Sequence, residues 1–275
     1  MKDLLDGPLV LAGAGKMGGA MLTGWLSSGL PAAQVVVQDP GPPPEIAKLL
    51  SNSGIASHPS IDGVLTEPPS VLLMAVKPQV MDDVFPPLAK LAGPNTLVLS
   101  IAAGRTMAGF ERHLPDGTAV VRTIPNTPSA IGRGITVCVA NAHVTEKQKQ
   151  ACNELLAAIG EVGWVDDEDL IDVSTAVSGS GPAYVFLLAE CLAQAGVDAG
   201  LSPELARQLA DATVSGSGEL LRQSDEAPST LRENVTSPGG TTFAALQVLM
   251  SDDGMKPLMS KAVKAAADRS RELAG

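Results

Sequence analysis

Apolar residues in the first 165 positions come in short blocks separated by stretches of helical spacing, which predicts strands joined by helices. Leu9–Ala12 predicts a first strand and Met17–Ser28 a helix ended by Gly29. Gln34–Gln38 predicts a second buried strand. It stops at Asp39-Pro40-Gly41-Pro42-Pro43-Pro44, where consecutive prolines cannot donate to a ladder. Glu45–Asn52 predicts a short helix, Ser70–Val76 a third strand broken by Pro78, and Asp82–Leu91 a helix. Leu97–Ala102 is another apolar strand, Thr106–His113 is helical, and Ala119–Thr123 and Gly134–Ala140 are rich in β-formers. Glu146–Ile159 predicts an amphipathic helix and Val162–Val165 a last edge strand. Such alternation predicts parallel βαβ units in a doubly wound sheet.

From Glu168 onward no strand pattern recurs. Pro182–Ala199 predicts a long apolar helix with proline in its first turn, and Ser202-Pro203-Glu204 starts another that continues to Gln223. Thr230–Val235 is short, and Thr241–Met250 and Met255–Leu273 close the chain. The expected fold is an α/β N-terminal Rossmann-like doubly wound sheet over residues 1–165, followed by an all-α C-terminal domain over 166–275. The boundary is expected near 164–168. The stretch Ala183–Ala189 is hydrophobic almost all round, so part of this surface is expected to be a subunit interface. Ala183–Gly196, the most apolar stretch, contains Glu190 and Gln194 and is read as too short and too polar to span a bilayer.

Composition narrows the function classes. Aromatics make up only 3%, so the core must be built from Ala, Leu, Val and Ile. A net charge of −11 with no basic cluster argues against a nucleic-acid partner and an anionic membrane surface. An anionic substrate remains open, since backbone N–H groups bind one locally. Cys138, Cys152 and Cys191 form no CxxC and are expected to be small buried residues of a protein in a reducing cytoplasm. His58, His113 and His143 are scattered, so no metal site is expected. Met1–Asp6 carries two acids and no long apolar core, so it is not expected to be a signal peptide.

The chemistry-bearing motifs sit at the ends of the predicted elements. Gly13-Ala14-Gly15-Lys16-Met17-Gly18 falls between the first strand and the first helix, the context that gives this glycine pattern meaning as a dinucleotide site. In that reading Gly13 makes the turn, Gly15 admits the pyrophosphate, Gly18 lets helix and strand approach, and the helix start favours an anion. Asp39 stands where an acid pairs with the ribose 2′-OH of NAD, and no Lys or Arg follows before Lys48, which tilts toward NADH. The alternative is that it merely caps the turn with Pro40. Ala75-Val76-Lys77-Pro78-Gln79 and Ser100-Ile101-Ala102-Ala103-Gly104 end central strands, where open α/β sheets bind ligands; Lys77 is either a ligand contact or a solvated strand-end lysine. Arg122-Thr123-Ile124-Pro125-Asn126-Thr127-Pro128 makes a rigid loop whose Asn amide can orient a ligand, although alone it is only a turn. Ser178-Gly179-Ser180-Gly181-Pro182-Ala183-Tyr184 is read as opening the longest helix, and Ser237-Pro238-Gly239-Gly240-Thr241-Thr242 as opening another. Two hydroxyl- and glycine-rich helix starts beside a dinucleotide fold suggest a small carboxylate held by backbone amides, although either one alone is an ordinary capped start.

These motifs, with Glu168-Asp169-Leu170-Ile171-Asp172 and Asn234-Val235-Thr236, fall in one order along nearly the whole chain. In that order the sequence resembles the pyrroline-5-carboxylate reductases. The resemblance implies reduction of the C=N bond of 1-pyrroline-5-carboxylate to L-proline, the last step of proline biosynthesis, by hydride from NADPH or NADH. It implies that Ala75, Val76, Lys77 and Pro78, with Ile101, Ala102 and Ala103, line the nicotinamide and ribose, and that Asn234 contacts the cofactor. The substrate carboxylate would sit on the backbone of Gly240, Thr241 and Thr242. The Thr242 hydroxyl would bond the ring nitrogen, and Glu168 would border the pocket. It also implies a homodimer through the helical domain, with dimers often assembling into decamers. Many relatives carry a small or basic residue where Asp39 stands and prefer NADPH, so Asp39 is a departure.

Three other readings stay open. The β-hydroxyacid dehydrogenases pair similar domains but use a lysine on the long helix, and no lysine occurs here between Lys149 and Lys256. A reductase of another cyclic imine would share the hydride chemistry. A non-catalytic NAD(H) sensor would bind the dinucleotide and turn nothing over.

Overall fold

In the computed structural model, which describes Met1 and residues 4–274, the apolar runs become one eight-stranded sheet. The strands are β1 Leu9–Ala12, β2 Val35–Gln38, β3 Ser57–His58, β4 Val71–Met74, β5 Leu97–Ser100, β6 Ala119–Pro125, β7 Gly134–Ala140 and β8 Gly160–Trp164. Their order is β3-β2-β1-β4-β5-β6-β7-β8. All neighbours are parallel except β6 and β7, which pair antiparallel from Val121↔Ala140 to Pro125↔Thr136. The connection over residues 126–133 is too short for a crossover helix, so the chain returns as a hairpin. Its Asn126 bridges that return: Oδ1 accepts from the Ile135 N–H at 3.0 Å and Nδ2 donates to the Ser178 carbonyl at 3.1 Å. The amide read as a ligand contact is therefore engaged inside the fold. β8, read as an edge strand, is one of the two edges, β3 being the other.

Helices α1 Lys16–Ser27, α2 Pro44–Ser53, α3 Met81–Ala89, α4 Met107–Glu111 and α5 Glu146–Ala157 cover the two faces. The central strands β1, β4 and β5 are almost wholly apolar because both of their faces are covered, alternate residues facing different layers. Leu9, Leu11, Leu73, Leu99 and Val121 pack with Met21, Trp25, Cys152 and Leu156 of α1 and α5. Val10, Ala12, Leu72, Met74, Val98 and Val120 pack with Met81, Phe85, Leu88 and Phe110 of α3 and α4. Trp25 is fully buried, and its Nε1 donates to the Leu155 carbonyl at 2.7 Å, so its one polar atom is satisfied. Phe85 and Phe110 meet edge to face with centroids 5.0 Å apart.

Beyond β8 the described chain is helical: α6 Leu170–Ser174, a π-turn over Thr175–Gly179, then α7 Gly181–Asp198, α8 Pro203–Gln223, α9 Pro228–Asn234, α10 Thr241–Leu249 and α11 Met255–Ala274. The chain forms two compact units. One runs to Gly179 and takes in the chain end from Ala267; the other is Ser180–Ala266. Within the second, α7 and α8 lie close: a Cβ at Gly196 would stand 3.2 Å from that of Ala206. Ala206 and Ala210 are buried, while Phe186, Leu187, Leu188 and Leu192 of α7 remain exposed, as does Cys191, which was expected to be buried. With the π-turn, α6 and α7 make one helical run, Leu170–Asp198, that is long and apolar enough by length and composition alone to cross a membrane. The expectation that Ala183–Gly196 was too short underestimated this run, because the π-turn carries helical structure through the glycines.

Candidate active site

The carboxyl ends of β2, β1, β4 and β5 lie side by side, and β1 is where the strand order turns from β2 on one side to β4 on the other. A crevice opens at such a switch point in open α/β sheets. The three glycines of the first loop play three different parts there. Gly13 has φ +92°, and a Cβ on it would lie 2.8 Å from the carbonyl carbon and oxygen of Ala75. The loop after β1 is thus pressed against the backbone after β4, and only glycine fits. A Cβ on Gly18 would stand 2.1 Å from the Gly13 oxygen, so the first turn of α1 rests on the same loop. Gly15 caps α1, no side chain fills that cap, and a Cβ there would meet nothing within 4 Å. Space above Gly15 and open amides at a 12-residue helix start fit a pyrophosphate. Ala14 is buried, Met17 half-buried and Lys16 exposed.

Asp39 performs the turn-capping role, accepting from the Gly41 N–H at 2.8 Å through Oδ1. Its Oδ2 accepts from the Ala14 N–H at 2.7 Å. The carboxylate is thereby fixed beside the glycine loop, with its charge at the end of β2. Its backbone is held by the short β3, whose His58 carbonyl accepts from the Asp39 N–H at 3.0 Å.

Ala75 and Ile101 extend the ladder past the strand ends: Ala75 N–H donates to the Ala12 carbonyl at 2.8 Å and Ile101 N–H to that of Met74 at 3.1 Å. Lys77 is exposed and begins a 3-10 turn over Pro78–Val80; Val76 and Pro78 are half-buried, Ala102 is buried and Ala103 is exposed. The first unit therefore gathers Gly13–Gly18, Asp39, Ala75–Pro78 and Ile101–Ala103 along one edge of the sheet.

Glu168 belongs to the same unit. Its Oε1 accepts from Arg122 Nη1 and from the Met107 N–H at the start of α4, both at 2.7 Å. Arg122, on β6, is 3% exposed in its side chain, and among the described residues its Nε has no acceptor. The two residues fall in separate sequence motifs, which conceals their pairing. A buried guanidinium requires a carboxylate partner, but its identity is not readable from spacing.

Ser178–Gly181 departs from the expected helix start. Ser180 has right-handed helical backbone (φ −84°, ψ −23°) and follows the π-turn directly, so helical structure runs up to it instead of leaving free amides. α7 is also shorter than α8, 18 against 21 residues, although the run from Leu170 exceeds both. The other motif agrees with its reading. In the second unit Gly239 has φ +68°, Gly240 is an extended N-cap, and no side chain caps the amides of Thr241 and Thr242 in the nine-residue α10. Thr242 is half-buried. Asn234 is exposed at the end of α9, and its Nδ2 donates to Glu226 at 3.1 Å. Among the described residues no group of three His, Cys, Asp or Glu could hold a metal ion.

Residues 168–273 match the family model for pyrroline-5-carboxylate reductase dimerisation, and residues 9–104 match that for coenzyme F420-dependent NADP oxidoreductases. The chain is 40% identical to a pyrroline-5-carboxylate reductase of Pseudomonas aeruginosa over 97% of its own length and 96% of that protein's. It is 37% identical to the pea enzyme of the same name, covering 95% and 94%. Among solved structures, a Coxiella burnetii pyrroline-5-carboxylate reductase superposes with a TM-score of 0.90 at 33% identity, covering 98% and 99%. A Plasmodium falciparum pyrroline carboxylate reductase with NADP bound does so at 0.78 and 28%, also covering 98% and 99%.

Proposed function

Because the chain belongs to the pyrroline-5-carboxylate reductase family, it is an NAD(P)-dependent oxidoreductase that reduces 1-pyrroline-5-carboxylate to L-proline, and we propose that its residues divide the work as follows. The observation that carries the assignment is the near full-length identity to pyrroline-5-carboxylate reductases, with an open dinucleotide cradle in the first unit and an uncapped helix start in the second.

Gly13 and Ala14 shape the turn, their own amides bonded to Gln38 and Asp39, and Gly15, Lys16, Met17 and Gly18 turn their backbone amides to the pyrophosphate. Ala75, Val76, Lys77 and Pro78, with Ile101, Ala102 and Ala103, line the nicotinamide end, and Asn234 adds a contact. The dinucleotide, when bound, supplies the hydride. The backbone of Gly240, Thr241 and Thr242 takes the substrate carboxylate at the positive end of α10, with the Thr241 and Thr242 amides as donors, since that of Gly240 is bonded to the Ser237 carbonyl. The Thr242 hydroxyl hydrogen-bonds the ring nitrogen and need only orient it or relay a proton. Glu168 borders the pocket, its Oε1 committed to Arg122 and Met107 and its second oxygen retaining acceptor capacity. A protonated cyclic imine is already electrophilic, so these residues need little acid–base power, and holding the two reactants together supplies most of the advantage.

For the cofactor, the Asp39 charge beside the glycine loop supports acceptance of NADH, against the family habit. The chain carries the family's dimerisation region and oligomerises. We assign the exposed α7 face to that contact and expect dimers to gather into decamers. A cytoplasmic location suits three unpaired thiols.

The test is loss of reduced-nicotinamide absorbance on mixing the chain with pyrroline-5-carboxylate and either cofactor. Turnover in the wild type is expected, with kcat about a hundredfold lower in Thr242→Ala and an unchanged melting temperature. Cofactor binding without turnover in the wild type would overturn the reaction, and an unchanged kcat in the variant would remove Thr242 from it.

A further inference from the structure

One guanidinium ties together the two loops assigned above to the nicotinamide. Arg105 follows Gly104, which has φ +67°, in the loop after β5. Its Nη1 donates to Asp82 Oδ1 at 2.7 Å and its Nη2 to Asp82 Oδ2 at 2.9 Å, a two-pronged contact. The same Nη2 donates to the Pro78 carbonyl at 2.6 Å. Asp82 lies in the first turn of α3, directly after the 3-10 turn Pro78–Val80. The planar fork therefore spans the loop after β5, the loop after β4 and the helix that follows it. The Arg105 side chain is 23% exposed, so the contact is partly shielded from water. A lysine carries its three donors on a single nitrogen and cannot reproduce this planar two-pronged geometry.

We propose that Arg105 is a positioning residue for the dinucleotide: it fixes the spacing of Ala75–Pro78 and Ile101–Ala103, the two strand-end segments between which the nicotinamide is held. This rests on the assignment of those segments to the cofactor. The sequence alone gave no sign of it, because Arg105 and Asp82 are 23 positions apart and neither lies in a motif. The argument for function over mere stability is one of placement. Asp82 is 69% exposed, and such an ion pair adds little to global stability. A small error in the spacing of two binding loops costs far more in affinity.

The experiment compares wild type with Arg105→Met, Arg105→Lys and Asp82→Asn. Dissociation constants for NADH and NADPH are read by fluorescence titration without substrate, and amide hydrogen exchange over residues 76–80 is read in the cofactor-free protein. Arg105→Met is expected to weaken both dinucleotides about tenfold and to speed exchange in that segment, with Arg105→Lys and Asp82→Asn between it and wild type. Should Arg105→Met fold poorly, Asp82→Asn, nearly isosteric and on the surface, carries the same expectation in smaller measure. Wild-type affinity and exchange in the Met and Asn variants would overturn the proposal, as would full rescue by lysine. Dinucleotide binding without turnover of pyrroline-5-carboxylate would sink the assigned reaction and leave these readouts intact.

Discussion

Replacing Asp39 by serine separates two effects that one carboxylate combines. Oδ2 holds the Ala14 N–H at 2.7 Å and Oδ1 the Gly41 N–H at 2.8 Å. A serine hydroxyl is shorter and can still cap the turn at Gly41, but it leaves the Ala14 amide without its carboxylate. A charge-assisted bond of this kind contributes about 1.5–3 kcal/mol net, and half-exposure brings it to about 1 kcal/mol, or about fivefold in affinity. That damage falls on the glycine loop and so on NADH and NADPH alike. Repulsion acts on NADPH only. A 2′-phosphate dianion about 6 Å from the carboxylate, at an effective dielectric constant of about 40, is disfavoured by about 3 kcal/mol, and salt screening leaves about half. In the ratio of kcat/KM values the loop damage cancels and the repulsion remains. Asp39→Ser is therefore expected to lower kcat/KM for NADH about fivefold and to shift the NADPH-to-NADH ratio about tenfold toward NADPH. The wild-type ratio should itself move toward NADPH as ionic strength rises, and the serine variant's should not. The assay is initial-rate absorbance with each cofactor at low and high salt. If both cofactors lose equally and the ratio holds within about twofold, less than the screened repulsion allows, Asp39 only pins the loop.

Gly18→Ala would place a methyl 2.1 Å from the Gly13 oxygen, so dinucleotide titration should show affinity falling at least about a hundredfold, and the melting temperature should drop as α1 is pushed off the loop. Phe186→Glu, on a residue 63% exposed in the single chain, should lower the mass seen by light scattering to that of one chain; an unchanged oligomer would move the interface off this face of α7. The Cys152 thiol is pushed well above its ordinary 9.0, first by its hydrogen bond with Cys138 and then by burial. Below pH 9 both folded and unfolded forms keep it protonated; above, the unfolded chain ionises first, so stability is lost as pH rises. Urea unfolding should accordingly show the stability deficit of Cys152→Ala shrinking between pH 8 and 10, and a constant deficit would refute the sign.

The parts of the site that were legible from sequence are those in which the backbone itself does the chemistry. Gly13, Gly15 and Gly18 stand in a strand–turn–helix context and Gly240 just before a helix, and each of these contexts is readable within a few residues of the glycine. The hairpin between β6 and β7 was equally local, since residues 126–133 leave no room for a crossover, yet repeated βαβ units concealed it. β3 escaped because two polar residues, Ser57 and His58, carry no apolar signal. The π-turn at Thr175–Gly179 escaped because its Ser178 and Gly179 read as a helix boundary.

Charged side chains behave differently, because their meaning depends on partners far along the chain. Glu168 meets Arg122 and Met107 across 46 and 61 positions, and no local pattern announces either contact. Asp82 is an ordinary acid in a helix first turn until Arg105 arrives from the next loop. Asp39 is the intermediate case. Its distance from the glycines marks it as a cofactor residue, and its neighbour Pro40 marks it as a turn cap. The structure has one oxygen on the turn and the other on the Ala14 amide, so the turn cap is also part of the glycine loop. A carboxylate built into the loop cannot swing away from an incoming phosphate without giving up that amide, and any cofactor preference of this enzyme is then tied to the integrity of the loop that binds both dinucleotides.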